Sequence, residues 1–235
     1  NYYAMGRAKE IIVKVINSKV GNEFVKKTHY SGKVVPNSTL HFGCFLDGQL
    51  HGVMQYGPSI NKKGTINLVE GTGWNEFIEL NRMAFDDYLP KYSESRCIAI
   101  SIRLIKKNAP HIKWIISFAD GTQCGDGTIY RASGFKLVGV SENAGICKLN
   151  GKIVHIKKTY DLKLTSSFMK KSDIPKLKEK GYDAEIIDGY QFKYIYLIDK
   201  SVNITKQVLP FSEIDKQGAG MYKGEKITLQ ERSNG

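Results

Sequence analysis

The stretch from residue 95 to residue 140 constrains the fold more than any other part of the chain. Residues 95–107 carry Cys97, Ile98, Ile100, Ile102, Leu104 and Ile105, which wrap most of a helical surface and predict a largely buried helix. Lys106 and Lys107 fall in its last turn, where they suit the helix dipole, and Pro110 stops it. Residues 112–118 are a continuous apolar run around Trp114, the pattern of a strand covered on both faces. A glycine-rich turn, Asp120-Gly121 and Gly125-Asp126-Gly127, leads to a short helix over 128–133 with Gly134 as C-cap, then to a strand over 135–140. With a strand at Phe77–Phe85 in front, this alternation predicts an α/β fold with a parallel pair in the middle. The expected architecture is a mixed central sheet flanked by helices, with a C-terminal extension.

Elsewhere the signals are shorter. Residues 11–16 read as an apolar strand. Residues 17–27 are polar and end at Thr28-His29-Tyr30-Ser31-Gly32, a loop or short helix start. Two runs, 41–46 and 51–56, flank Asp47-Gly48, a strong hairpin signal. Ser93 is the expected N-cap of the central helix. After Cys147 the character changes: strands are expected at 155–160 and 192–198, a short helix at 172–180, and a polar tail wrapping the surface from Lys200 onward. These features divide the chain into a core, 1–147, and a C-terminal segment, 148–235, packed on the same domain.

The 235 residues are 41% hydrophobic, enough for a real core and a cleft. The net charge of +12, with a pI of about 9.4, points to a polyanionic partner. No apolar run approaches the ~18 residues needed to span a bilayer, and no secretion signal is visible. The four cysteines, Cys44, Cys97, Cys124 and Cys147, form no CxxC pair and match no zinc spacing, so free thiols are expected. There is no Walker loop, no serine-hydrolase elbow and no HExxH.

Five places can carry chemistry. Asp120 lies at the C-terminal end of the buried strand, where open α/β sheets bind ligands; an Asp there is equally suited to capping the turn before Gly121. Tyr130 offers a hydroxyl for proton transfer, or an ordinary packing ring against Phe135. His29 and Tyr30 pair a group that titrates near neutrality with a flat face for a base. Residues 91–96 open the central helix with Ser93, Ser95 and Arg96, a reasonable anion site or a plain helix cap. Arg82 sits inside an apolar strand, where a charge must meet a carboxylate or an anionic substrate.

Taken together, His29-Tyr30-Ser31-Gly32, Asn75-Glu76-Phe77, Glu79-Leu80-Asn81-Arg82-Met83 and Ser93-Glu94-Ser95-Arg96 form an ordered series. It continues through Lys113-Trp114-Ile115-Ile116-Ser117-Phe118-Ala119-Asp120, Cys124-Gly125-Asp126-Gly127 and Ile129-Tyr130-Arg131-Ala132-Ser133-Gly134-Phe135. With Tyr2-Tyr3-Ala4 in front and Gly218-Ala219-Gly220-Met221-Tyr222 behind, the series resembles the bacteriophage Mom adenine-modification proteins over nearly the whole chain. That family is similar to GNAT acyltransferases, which implies a GNAT-like mixed sheet. The resemblance implies functional positions at His29, Tyr30, Arg82, Ser95, Asp120 and Tyr130, with Ser31, Ser93 and Arg96 beside them.

It further implies a carbamoylmethyl group placed on the exocyclic amine of adenine in double-stranded DNA, protecting phage DNA from restriction in the host cytoplasm. The base would be flipped out, with Tyr30 stacked on it and Arg82 and Arg96 on phosphate. Proton removal is assigned to Asp120 or His29, the donor carbonyl to Ser95 and its helix start, and protonation of the leaving group to Tyr130. Bound iron is associated with the family; no ligands follow from this sequence. GNAT enzymes carry a glycine-rich pyrophosphate loop where this chain reads Pro90-Lys91-Tyr92-Ser93-Glu94-Ser95. A glycyl-tRNA-type aminoacyl donor is therefore favoured over acetyl-coenzyme A. The rival expectations are a GNAT enzyme acting on a protein or small-molecule amine, and a non-enzymatic DNA-binding domain.

Overall fold

The computed structural model describes residues 6–123, 125–143, 145–228 and 230–231, so Tyr2-Tyr3-Ala4 and Cys124 lie outside the described residues. In chain order the main elements are β1 (Ile12–Val15), α1 (Ser18–Thr28), β2 (Leu40–Leu46), β3 (Gln49–Gly57), α2 (Lys62–Thr65) and β4 (Phe77–Phe85). Then follow α3 (Ser93–Asn108), β5 (Trp114–Asp120), α4 (Thr128–Ala132), β6 (Lys136–Glu142), β7 (Ile146–Leu149), β8 (Lys152–His155) and α5 (Lys157–Asp161). The rest comprises α6 (Ile174–Glu179), β9 (Ala184–Ile187), β10 (Tyr190–Leu197), α7 (Ser212–Lys216) and a two-residue hairpin pairing Met221–Tyr222 with Glu225–Lys226.

The chain forms two compact units. The first comprises Asn1–Phe118, Ile129–Val138 and Tyr194–Val208; the second comprises Ala119–Thr128, Gly139–Lys193 and Leu209–Gly235. Strands β1-β2-β3-β4-β5-β10-β6 make a seven-stranded sheet. The sheet is mixed, as expected: β1 to β4 pair antiparallel in succession, and β4 pairs parallel with β5. The hairpin between β2 and β3 turns at Asp47 (φ 52°) and Gly48 (φ 76°), the two left-handed residues that a tight hairpin needs.

In the first unit, α1 packs on β2, β3 and β4 through Val25, which meets Val53 and Ala84. The opposite face of β3 meets α3, where the Tyr56 hydroxyl lies 2.6 Å from Ser101 Oγ and both residues are fully buried. Further along the sheet, Phe77, Trp114, Ile116, Val138 and Ile195 form a second apolar cluster with Leu68 and Val69. The Trp114 ring stacks on Phe77 at 4.4 Å, and its indole N–H donates to Thr72 Oγ1 at 3.1 Å. In the second unit, β8-β7-β9 form a small antiparallel sheet, with Leu177 and Met169 packed on Cys147, Leu149 and Ala184.

The polar stretch 17–27, which carried no assignment, is helical: the Asn17 side chain accepts from the Lys19 N–H at 2.8 Å, and Gly21 and Val25 are buried on the inner side. Three local expectations are corrected. Ser93 is not the N-cap of α3. Tyr92 holds that position with a left-handed backbone (φ 68°), and the Ser93 hydroxyl, already inside the helix, donates back to the Pro90 carbonyl. Residues 155–160 are not a strand, because β8 ends at His155 and α5 begins at Lys157. The tail is not a polar wrap: Val202 and Ile204 pack on the Trp114 cluster, and Ile214, Ala219 and Met221 are buried.

Because Trp114 is fully buried and stacked, Trp114→Ala removes a large packed ring and one hydrogen bond. It should destabilise the chain by about 3–5 kcal/mol. Urea unfolding measures this, and a loss below about 1 kcal/mol would mean the ring is not a packing centre.

Candidate functional site

The geometry of β4 places its charged residues. The β3–β4 register runs Gly57–Glu79, Tyr56–Leu80, Gln55–Arg82, Met54–Met83. Asn81 is passed over, which makes it the extra residue of a β-bulge. In regular alternation, residues three apart face opposite sides. The bulge resets that parity, so Glu79 and Arg82 share one face with Gln55. This is the face on which Val53 and Ala84 meet α1.

Arg82 is held on that face by carbonyl oxygens. Its Nε donates to the Lys33 carbonyl at 3.1 Å and its Nη1 to its neighbour Asn81 at 3.1 Å. Among the described residues it is in no ion pair, although Glu79 is close enough to feel its charge. Glu79 is buried, and burial pushes its carboxyl above the ordinary value against the pull of a Ser59 hydrogen bond, the Ile60 N–H and Arg82. It is a functional candidate that the sequence reading passed over. A second acid inside the apolar strand that drew attention to Arg82 was the available signal.

His29 follows the last turn of α1 and is half-buried. Its Nδ1 lies 2.8 Å from Ser31 Oγ and accepts the Ser31 backbone N–H at 3.1 Å. An N–H aimed at Nδ1 fixes the neutral tautomer with its proton on Nε2. Burial, and then the positive field of Arg82, lower the imidazole pKa to about 4. The ring is therefore neutral at pH 7 and presents a donor. Tyr30, 51% exposed, lies tilted over it with ring centroids 4.3 Å apart. His29, Tyr30, Ser31 and Arg82 thus form one contiguous group.

Ser93, Ser95 and Arg96 form a second group in the first turn of α3. The Ser95 hydroxyl donates to the Tyr92 carbonyl at 3.1 Å, and Arg96 Nη2 donates to the Lys9 carbonyl at 3.3 Å. Arg96 Nε is buried without a hydrogen-bond partner. Tyr130 is buried in the first unit, stacked on Tyr194 at 5.2 Å and edge-on to Phe135 at 5.5 Å. Its charge influences Tyr56, whose hydroxyl is pushed above the ordinary tyrosine value mainly by burial. Tyr130, Tyr56 and Ser101 are therefore polar neighbours in an otherwise apolar core.

Asp120 belongs to the second unit. Its Oδ1 accepts the backbone N–H groups of Thr122 at 3.1 Å and Gln123 at 3.2 Å, as a turn-capping carboxylate does. Among the described residues no group of three or more His, Cys, Asp or Glu is placed to hold a metal ion. Cys44, Cys97 and Cys147 are buried free thiols, and no described helix is long and apolar enough to cross a membrane.

The fold is a mixed α/β sheet with a bulged fourth strand and a long helix after it. Residues 10–213 match the Mom protein family, and the chain belongs to that family. Over 149 residues it is 36% identical to the methylcarbamoylase mom of Escherichia phage Mu, an alignment covering 63% of this chain and 61% of that relative. Solved structures similar to it include an N-acetyltransferase from Staphylococcus aureus Mu50, with a TM-score of 0.48 and 10% identity over 80% of this chain and 99% of that one. A probable acetyltransferase from Staphylococcus epidermidis gives a TM-score of 0.46 and 12% identity over 80% and 98%.

The depressed His29 pKa has a consequence for stability. The unfolded imidazole titrates at about 6.5 and the folded one at about 4, so between these values the unfolded state binds the extra proton. Stability should be full above about pH 6.5 and should fall as the pH drops towards 4. His29→Gln should flatten that decline. Equal slopes in both proteins, read from urea midpoints against pH, would place the imidazole in solvent.

Proposed function

We propose that this chain is a DNA-modifying transferase that converts adenine in double-stranded DNA to its N6-carbamoylmethyl form, protecting phage DNA from host restriction. The observation that carries the reading is the neutral His29, held by Ser31 beneath the exposed Tyr30 ring and within the field of Arg82. Family membership and the methylcarbamoylase name of the phage Mu relative support it, as does the net charge of +12.

The exocyclic amine of adenine is a poor nucleophile, because its lone pair is delocalised into the ring. It must lose a proton as the new bond forms. His29 carries its proton on Nε2, so it serves as a hydrogen-bond donor to the base or to the developing charge. Proton removal then falls to Asp120. Tyr30 stacks on the flipped base, and Arg82 and Arg96 take phosphate. Ser95 and the start of α3 receive the donor carbonyl, which requires the Ser95 hydroxyl to leave the Tyr92 carbonyl. Tyr130 protonates the leaving group.

A glycyl group and a carbamoylmethyl group contain the same atoms. Transfer of a glycyl unit from an aminoacyl-tRNA followed by rearrangement therefore balances without an oxidant or reductant. Acetyl-coenzyme A lacks the nitrogen that the product carries. Residues 91–95 also contain no glycine to let a pyrophosphate approach the backbone, and Glu94 opposes its charge. We therefore favour the aminoacyl-tRNA donor.

Bacteria expressing the chain should yield an adenosine of increased mass by nucleoside mass spectrometry. Soluble, folded protein with unmodified nucleosides would refute the reading. Asp120→Asn should cost about 10²-fold or more in rate. If activity survives while the melting temperature drops, Asp120 only caps its turn. Tyr130→Phe keeps the stack on Tyr194 and should slow turnover while leaving the melting temperature within a few degrees. Duplex affinity should fall linearly with log salt, as phosphate contacts dictate.

A further inference from the structure

The second unit contains an open cavity of about 550 Å³ lined by Tyr160, Ser166, Ser167, Phe168 and Lys170. Its wall is fixed from beneath. Thr159 is fully buried, and its hydroxyl donates to the Ile156 carbonyl at 2.9 Å and lies 2.9 Å from Thr165 Oγ1. Thr165 Oγ1 donates to the Ser167 carbonyl at 2.6 Å, and buried Met169 ties its N–H to the Ile156 carbonyl at 3.2 Å. The Phe168 ring stands edge-on to His155 at 6.1 Å.

On this fixed loop Tyr160 and Phe168 are each 49% exposed. Leaving two ring faces in water on an anchored loop forgoes burial that a partner would supply. The surrounding charge selects the partner. Between residues 157 and 171 there are five lysines, all exposed, against one carboxylate, Asp161. Among the described residues none of these lysines is in an ion pair. Flat aromatic faces, two serine hydroxyls and unpaired ammonium groups match a nucleobase with its phosphates. A membrane surface would want a broader apolar face than two rings around a cavity lined with hydroxyls. An intact duplex hides its base faces, so the rings gain only from a base that is out of the stack.

We propose that this cavity seats an unpaired nucleotide of a DNA strand, its base against Tyr160 and Phe168 and its phosphate on Lys170. The choice of DNA rests on the adenine-modification reading above. The site supplies affinity and takes no part in bond making.

The test titrates the full chain with a labelled single-stranded oligodeoxynucleotide, its duplex and the matching RNA, at several salt concentrations. Phe168→Ala and Tyr160→Ala should each weaken single-strand DNA binding by roughly tenfold, with little effect on the duplex, and Phe168→Tyr should restore it. Lys170→Gln should lower the slope of log affinity against log salt by about 0.7. Unchanged single-strand affinity in variants with wild-type melting temperatures would overturn the proposal, as would a loss confined to RNA. If a ring variant does not fold, the salt slope of Lys170→Gln, which alters only an exposed side chain, decides. Wild-type protein that leaves adenine unmodified, yet binds single strands through these rings, would refute the proposed function and leave this site standing.

Discussion

The polar side of the first unit depends on the one-residue bulge at Asn81. Without it, Glu79 and Arg82 would face opposite sides of the sheet, and one of the two would point into the apolar layer that holds Tyr56, Leu80 and Met83. With it, both charges lie on the α1 side. There the loop after α1 offers the Lys33 carbonyl to Arg82, while Ser59 and the Ile60 N–H serve Glu79. A buried charge is tolerated only when hydrogen bonds replace its water. The arginine so fixed is the same charge that helps keep His29 neutral. One inserted residue thereby links strand register to the protonation state of an imidazole in a neighbouring loop.

The same strand changes partners at this point. The β4–β5 pairing runs from Phe77–Trp114 to Leu80–Ser117, where the Ser117 hydroxyl donates to the Leu80 carbonyl at 2.8 Å. A side chain thus satisfies a main-chain acceptor at the last paired position, next to the bulge. The buried hydroxyls on the opposite face follow a similar economy: Ser101 donates to the Ile98 carbonyl, which leaves its oxygen to accept from Tyr56. The Ser117 and Ser101 hydroxyls thus find partners that the helix or strand geometry already provides.

Much of this architecture was legible because its causes are local. The left-handed Asp47-Gly48 turn, the apolar run around Trp114 and the continuous apolar surface of α3 each follow from residue type within a few positions. What escaped had causes of another kind. The bulge is a property of register between β3 and β4, and nothing in Glu79-Leu80-Asn81-Arg82 marks it. Helix α1 is polar on average, and only Gly21 and Val25 are buried among its residues, so its overall composition hid a helix. Ser93 looks like a cap by residue type, yet Tyr92 takes that place with a left-handed backbone that aromatic residues seldom adopt. In the tail, Val202 and Ile204 find the Trp114 cluster only through tertiary packing, against a polar local composition.

For the candidate site, residue type located His29 and Arg82, but neither tautomer nor partner could be read from it. A histidine in a polar loop suggests a base, since its ordinary pKa lies near neutrality. The fold places the Ser31 N–H on Nδ1 and the Arg82 charge nearby, and both act against that role. Gaining a proton would add a second positive charge near the Arg82 guanidinium, at a half-buried position. The neutral donor is the form that costs least there. A donor fixed in this way suits attack on a carbonyl: as the new bond forms, negative charge gathers on the carbonyl oxygen, and an N–H aimed at that charge stabilises it without moving a proton. The loop after α1 is thus better suited to holding charge than to accepting a proton.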